Sequence, residues 1–241
     1  MSTTEPSVVE PARRPLRSRQ TGWAKSIAQF LARRRVSPNF ISVMSVVFSA
    51  GAAVALWCLA DAVGARRIIL LLSAAAGIQL RLVSNLLDGM VAVEGGLKTK
   101  SGDIFNDFPD RVSDSLILIA VGYAVHIPTL GWCAALLAAL TAYVRLLGGS
   151  CGLKQNFIGP MAKQHRMAVL TAMCLLSMVE GMSRYNKVGF ISFRISETRG
   201  LMVDHLPLGL FLMLALLVIN LGCLITLYRR LSRLKRELEA R

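Results

Sequence analysis

Residues 40–60 form an apolar run without a single charge. A helix needs about 20 such residues to cross the hydrocarbon of a bilayer. Four further runs are comparable. Residues 68–87 are interrupted only by Arg81, residues 130–148 end near Arg145, residues 167–182 are shorter and contain Glu180, and residues 207–228 are long and clean. Residues 115–127 are apolar but too short to cross alone. They become long enough if the helix begins near Ile104 and carries a polar first third. The expectation is an all-α, polytopic membrane protein with six transmembrane helices and both termini on one side.

Composition supports this and excludes the main alternatives. The 241 residues are 54% apolar and only 17% charged. A soluble domain cannot hide so many apolar residues while showing so few charges, and the same surplus argues against disorder for the bulk of the chain. The five cysteines are an odd number without paired spacing, so no disulfide framework is expected. They read as small core residues. CxxC and His–Cys metal spacings are absent.

Charge sets the expected orientation. Residues 1–36 carry eight Lys/Arg against two acids, and residues 229–241 carry six against two. Lys98 and Lys100 follow the second span; Lys154, Lys163 and Arg166 follow the fourth. The positive-inside rule places all of these in the cytoplasm. Against it stand Arg66 and Arg67, and four basic residues between the fifth and sixth spans; the cytoplasmic excess outweighs them. Basic tails beside a bilayer match anionic lipid headgroups more simply than nucleic acid, so no nucleic-acid partner is expected.

The first 35 residues lack the apolar core of a signal peptide. Residues 1–20 read as a flexible basic arm. In residues 22–35, Trp23, Ile27, Phe30 and Leu31 recur among basic neighbours, the pattern of an interfacial amphipathic helix. Residues 229–241, with leucines at 231, 234 and 238, read as a basic amphipathic tail.

One stretch departs from lipid-facing chemistry: residues 85–114, NLLDGMVAVEGGLKTKSGDIFNDFPDRVSD. Asn85 and Asp88 are three apart at the end of the second span. Asn106, Asp110 and Asp114 are four apart at the start of the third. Such spacings stack side chains on one helix face. Two helices joined by about a dozen residues can then aim carboxylates and amides at a shared space. Several uncompensated carboxylates near a bilayer are costly. Hard divalent cations that also receive substrate phosphates supply a reason. Gly89, Ala92 and Gly102 are small enough for a bulky ligand to approach the backbone. Pro109 is expected within the first turn or so of the third helix, where its missing N–H does little harm.

Plainer readings stand beside these. Asp103 and Asp107 suit the dipole of a helix start. Arg81 shares a face with Asn85 and Asp88, and either neutralises an acid or holds a phosphate. Arg111 orients Asp110 or faces headgroups. Lys98 and Lys100 are solvated loop charges, His165 is a solvated loop histidine, and His126 and His205 lie on the far side.

The spacing resembles the signature of the CDP-alcohol phosphatidyltransferase family, D-x-x-D-G-x-x-A-R, eight or nine residues, then G-x-x-x-D-x-x-x-D. The frame here runs Asn85, Asp88, Gly89, Ala92, Val93, eight residues, Gly102, Asn106, Asp110, with every spacing kept. Asn85 and Asn106 stand at the first and third acid positions, and Val93 replaces the arginine. The segment RRRVSPNFIS, from Arg33, is similar to the family's lead into its first membrane helix. YVRLLG and GPMAKQHRM, from Tyr143 and Gly159, look like one bacterial branch.

The resemblance implies a six-helix membrane enzyme over residues 21–228. It would move a phosphatidyl or phospho-alcohol group from a CDP-linked donor such as CDP-diacylglycerol to an alcohol and release CMP, in phospholipid biosynthesis at a bacterial inner membrane. Carried over, Asn85, Asp88 and Asn106 are ligands of Mg²⁺ or Mn²⁺, two ions in all, and Asp110 is a ligand or the catalytic base. Asp114 or Asp107 restores charge lost at the asparagines, so that Asp110 and Asp114 are the catalytic candidates. Asn85, Asp88, Gly89, Ala92 and Gly102 line the CDP site. Arg81, Arg145, Lys163 and Arg166 are candidates for an acceptor phosphate. The partners implied are the CDP-alcohol, the acceptor, membrane lipids and a second copy in a homodimer.

Two alternatives keep the same residues. The asparagines and Val93 suit a catalytically silent relative that binds CDP-lipid. Six helices with buried carboxylates also suit a transporter, although no midplane acid pair or inverted repeat is evident.

Overall fold

The computed structural model describes residues 21–96, 102–153, 155–185 and 209–240, with the side chains of residues 94, 103, 106 and 181–185 left aside. The basic arm expected at 1–20 lies outside the described residues, as do Lys98, Lys100, Lys154 and His205.

Seven helices follow in order: α1 Gly22–Arg33, α2 Pro38–Trp57, α3 Gly64–Glu94, α4 Gly102–Ala124, α5 Pro128–Ser150, α6 Lys163–Tyr185 and α7 Leu210–Glu239. By length and composition, four are apolar enough to cross a membrane: α2, residues 64–93 of α3, α5 and α7. α4 and α6 are 23 residues each, long enough to cross but more polar. α4 begins with the polar third that the short run at 115–127 requires.

Neighbouring helices close a ring. α2 packs on α3, α3 on α6, α6 on α7, α7 on α5, α5 on α4, and α4 back on α2. α1 lies outside the ring against α3. The ring's interior combines small side chains, such as Ala52, Ala74, Ala134, Ala138 and Ala215, with large ones such as Leu56, Leu71, Ile117 and Leu212. Large apolar residues also cover the outside: Val47, Val54, Ile69, Leu136, Val179, Leu217 and Leu221 are exposed. A soluble protein would not leave so many large apolar side chains exposed, and alanines between helices permit the close backbone approach of packing in lipid.

The α4–α5 hairpin shows that close approach. A Cβ added to Gly131 would stand 2.7 Å from the Leu118 carbonyl oxygen, and one added to Gly122 would stand 2.8 Å from Gly131 Cα. Both contacts are closer than real Cβ atoms come, so both helices need glycine there.

α1 buries Ala24 and Ala28 against Leu86, Leu87, Met90 and Val91. Trp23, Ile27 and Phe30 stay exposed. A helix thus occupies residues 22–33, docked by its alanines, with Trp23, Ile27 and Phe30 presented away from the protein.

Several boundaries differ from expectation. α7 continues unbroken through residues 229–239, so most of the basic tail is the last part of α7. Pro109 sits two turns inside α4 rather than in its first turn. There it removes the hydrogen bond to the Phe105 carbonyl. Cys174 and Cys223 are core residues, but Cys58 and Cys133 are exposed.

Glu180 explains why the fifth apolar run looked short. Its carboxylate is buried, with Arg67 Nη2 of α3 at 3.2 Å. It also accepts the backbone N–H groups of Gly209 at 2.8 Å and Phe211 at 3.0 Å. Those are unsatisfied donors at the start of α7, so one acid both neutralises Arg67 and caps a neighbouring helix. Arg67 is thus part of the packed interior rather than an outer loop charge.

Candidate active site

At the other end of the ring, α3 and α4 face each other across a gap instead of packing side by side. Their chains run antiparallel, so each step toward the end of α3 matches a step back toward the start of α4. Asn85 meets Asp110: its Nδ2 donates to Oδ1 at 2.8 Å. One turn back on α3 and one turn on along α4, Arg81 meets Asp114, with Nη2 2.6 Å from Oδ1. The i, i+4 spacing read in both helices is therefore realised as matched rungs.

Asp88 completes the α3 side. It is 4% exposed. Ser42 of α2 donates its Oγ–H to Oδ2 at 2.7 Å. The other oxygen, Oδ1, is buried and has no hydrogen-bond partner among the described side chains. The backbone N–H of Gly89 also acts on this carboxylate. A carboxylate oxygen left so in a buried place is costly unless something cationic or protic reaches it.

α6 closes the site from the third side. Lys163 and Arg166, three apart at its start, face the two acids of α4. Lys163 Nζ contacts Asp110 Oδ2, and Arg166 Nη2 donates to Asp114 Oδ2 at 2.6 Å. Arg81 Nη2 also lies 3.3 Å from the Asp110 backbone carbonyl and 3.6 Å from its Oδ1. Arg111 Nη2 stands 3.8 Å from Asp110 Oδ2. Arg81, Arg166 and Asp114 are at most 2% exposed. Asp114 is thus enclosed between two arginines, while Asp110 is approached by an amide, an ammonium and two guanidinium groups.

The remaining candidates fall around this centre. Asp107 turns to α5 and accepts from Arg145 Nη2 at 2.7 Å. The Asn106 and Asp103 side chains lie outside the described residues. Gly89, Ala92 and Gly102 are half-buried, and Val93 is 48% exposed, so the position where the family motif has arginine faces outward. Of the four acceptor-phosphate candidates, all pair with site carboxylates: Arg81 and Arg166 with Asp114, Lys163 with Asp110, Arg145 with Asp107. His165 is exposed, its Nδ1 2.6 Å from the Pro160 carbonyl oxygen.

Two features were missed in the sequence. Ser42 was visible only as part of RRRVSPNFIS; a serine one turn into the first span, next to the acidic helices, was the available signal. Arg230, counted as a tail charge, instead ties the α5–α6 connection to α7: it donates from Nε to Ile158 O at 2.9 Å and contacts Thr141 O. In that connection Gly159 has φ +129°, and a Cβ there would stand 2.4 Å from Thr226 Cγ2. A groove of about 460 Å³ lies alongside, lined by Gln155, Asn156, Phe157, Arg233 and Glu237.

Asp88, Asp110 and the Asn85 amide offer hard oxygen donors of the kind Mg²⁺ and Mn²⁺ take. The unpartnered Asp88 Oδ1 fits such an ion. Among the described residues, no three His, Cys, Asp or Glu side chains gather into a metal cluster; the set has only two acids and an amide, since Asp114 and Asp107 are bound elsewhere.

No protein-family model and no curated protein matches the chain. Solved structures do. Phosphatidylinositol phosphate synthase (PgsA1) of Mycobacterium tuberculosis, in complex with manganese and citrate, superposes with a TM-score of 0.63 at 16% identity, covering 88% of each chain. The same protein with CDP-DAG bound gives 0.63 at 16% identity over 88% of this chain and 92% of its own. Its apo form gives 0.60 at 17% identity over 86% and 93%. The chain therefore shares, over most of its length, the fold of PgsA1, a CDP-alcohol phosphatidyltransferase.

Proposed function

We propose that the chain is a membrane-embedded transferase of the CDP-alcohol phosphatidyltransferase family. It transfers a phosphatidyl group from CDP-diacylglycerol, or a phospho-alcohol from a related donor, to an alcohol and releases CMP. The observation that carries this is Asn85 of α3 donating to Asp110 of α4, with a buried Asp88 oxygen that has no hydrogen-bond partner three residues further along α3. The fold it occurs in is that of a protein solved with manganese and with CDP-DAG.

In this reading Asp88, Asn85 and Asp110, with Asn106, hold Mg²⁺ or Mn²⁺. When bound, the ion neutralises the donor pyrophosphate and stabilises departing CMP. Ser42 fixes Asp88 so that Oδ1 faces the ion. Gly89, Ala92 and Gly102 leave room for the nucleotide. Asp110 takes the proton of the acceptor hydroxyl as its oxygen attacks phosphorus and the bond to CMP breaks; the hydroxyl enters at Oδ2 as Lys163 withdraws. Six crossings put both termini and this site on the cytoplasmic side of the bacterial inner membrane, with α1 lying in the headgroup layer. Lys163 and Arg145, once released from their acids, meet any phosphate on the acceptor.

The test is mass spectrometry of the lipid formed by purified protein, Mn²⁺ or Mg²⁺, CDP-diacylglycerol and a panel of alcohols. A new phospholipid with stoichiometric CMP supports the reading; CDP-diacylglycerol left intact across the panel overturns it. One observation favours a second reading. Both Asp110 oxygens already have partners, Asn85 and Lys163, as they would in a silent relative that binds CDP-lipid without turnover. Tight CDP-diacylglycerol binding with no product would select it.

A further inference from the structure

Asp114 stands one turn beyond Asp110, and among the described site acids its carboxylate alone has an arginine nitrogen within 3 Å of each oxygen: Arg81 of α3 at 2.6 Å and Arg166 of α6 at 2.6 Å. All three side chains are buried. A carboxylate enclosed by two guanidinium groups is a poor cation ligand, because a divalent ion would have to displace an arginine into a space that offers it no solvent. Arg81 does more than neutralise Asp114. The same Nη2 lies against the Asp110 carbonyl and near its Oδ1. Pro109 immediately precedes Asp110 and leaves the Phe105 carbonyl, four residues before it, without its ladder bond.

We propose that Asp114 is a positioning residue. Clamped between Arg166 and Arg81, it fixes Arg81 so that Arg81 sets the backbone and carboxylate of Asp110 against the acceptor hydroxyl. It neither ligates the cation nor carries the proton. This rests on the proposed function, in which Asp110 is the base, and it separates two acids that spacing alone treats alike.

The experiment uses the full chain in lipid nanodiscs and compares Asp114→Asn, Asp114→Glu and Asp88→Asn. It reads kcat, the KM for CDP-diacylglycerol, and Mn²⁺ affinity by electron paramagnetic resonance. A misplaced base costs on the order of a hundredfold in rate. Asp114→Asn is therefore expected to lose kcat by about that factor, with KM and Mn²⁺ affinity close to wild type and Asp114→Glu recovering part of the rate. Asp88→Asn is expected to weaken Mn²⁺ binding. Should Asp114→Asn fail to fold, Asp114→Asn/Arg166→Met keeps the wild-type net charge of the cluster; the same kcat loss with intact Mn²⁺ binding is expected. Mn²⁺ affinity falling in Asp114→Asn as far as in Asp88→Asn would overturn the proposal, as would wild-type kcat in the charge-balanced double variant. A wild-type protein that binds Mn²⁺ but releases no CMP would instead remove the transferase reading; the affinity comparison would still decide whether Asp114 is a ligand.

Discussion

The Ser42 hydroxyl lies 3.2 Å from the Pro38 carbonyl oxygen, but its shorter contact, 2.7 Å, goes to the acid on which the site depends. A hydrogen bond to a charged group contributes about 1.5–3 kcal/mol, so Ser42→Ala is expected to lower CMP release by roughly tenfold to a hundredfold while the thermal midpoint changes little. Steady-state kinetics and a melting curve in detergent check both parts. Ser42→Thr keeps the hydroxyl and is expected to retain most of the rate. This contact could not be read in advance, because 46 positions separate the partners. The acids themselves were legible. Spacing within a helix is a local property, and Asn85–Asp88 and Asp110–Asp114 each lie within a turn or so. What pairs with what across the gap is tertiary. Arg81 offered two roles in the sequence, and the structure shows it beside Asp114. Asp107, read as a ligand or a dipole partner, is shared with Arg145 of another helix.

Helices followed from the sequence in number and approximate position because each is a run of helix length with its own apolar signal. α4 was recoverable even though a third of it is polar. α6 read as short because Glu180 interrupts it, and only the fold shows that Arg67, 113 residues away, answers that charge. Removing one member of a buried ion pair costs on the order of 3–5 kcal/mol. Glu180→Leu is expected to destabilise by about that amount, since it strands Arg67 and uncaps α7. Arg67→Leu/Glu180→Leu restores charge balance but not the cap, and its melting temperature is expected to fall between the two. At the α4–α5 hairpin, Gly131→Val is expected to force the helices apart, lowering the melting temperature and the yield of folded protein.

Among the described residues, six helices close a ring with α1 docked outside it. That closure was not legible, since apolar periodicity says which segments cross but not which neighbours they choose. The closure nevertheless places α3, α4 and the start of α6 around one gap, all at the end where α2 begins and α5 and α7 finish. With the six crossings proposed above, the basic excess at 1–36 and 229–241 predicts both termini in the cytoplasm. A green fluorescent protein fused to the C-terminus is expected to fluoresce, and alkaline phosphatase at the same place to be inactive; the opposite pair of results would invert the orientation.

The central claim is that Asp88 and Asp110 act together, with a divalent cation, on a CDP-linked donor. CMP release from CDP-diacylglycerol, followed as Mg²⁺ or Mn²⁺ is titrated into purified wild type, Asp88→Ala and Asp110→Ala, tests it most directly. The account predicts saturable cation dependence in wild type and a loss of at least about a hundredfold in each folded variant. Turnover that ignores chelation, or that survives either substitution unchanged, would contradict it.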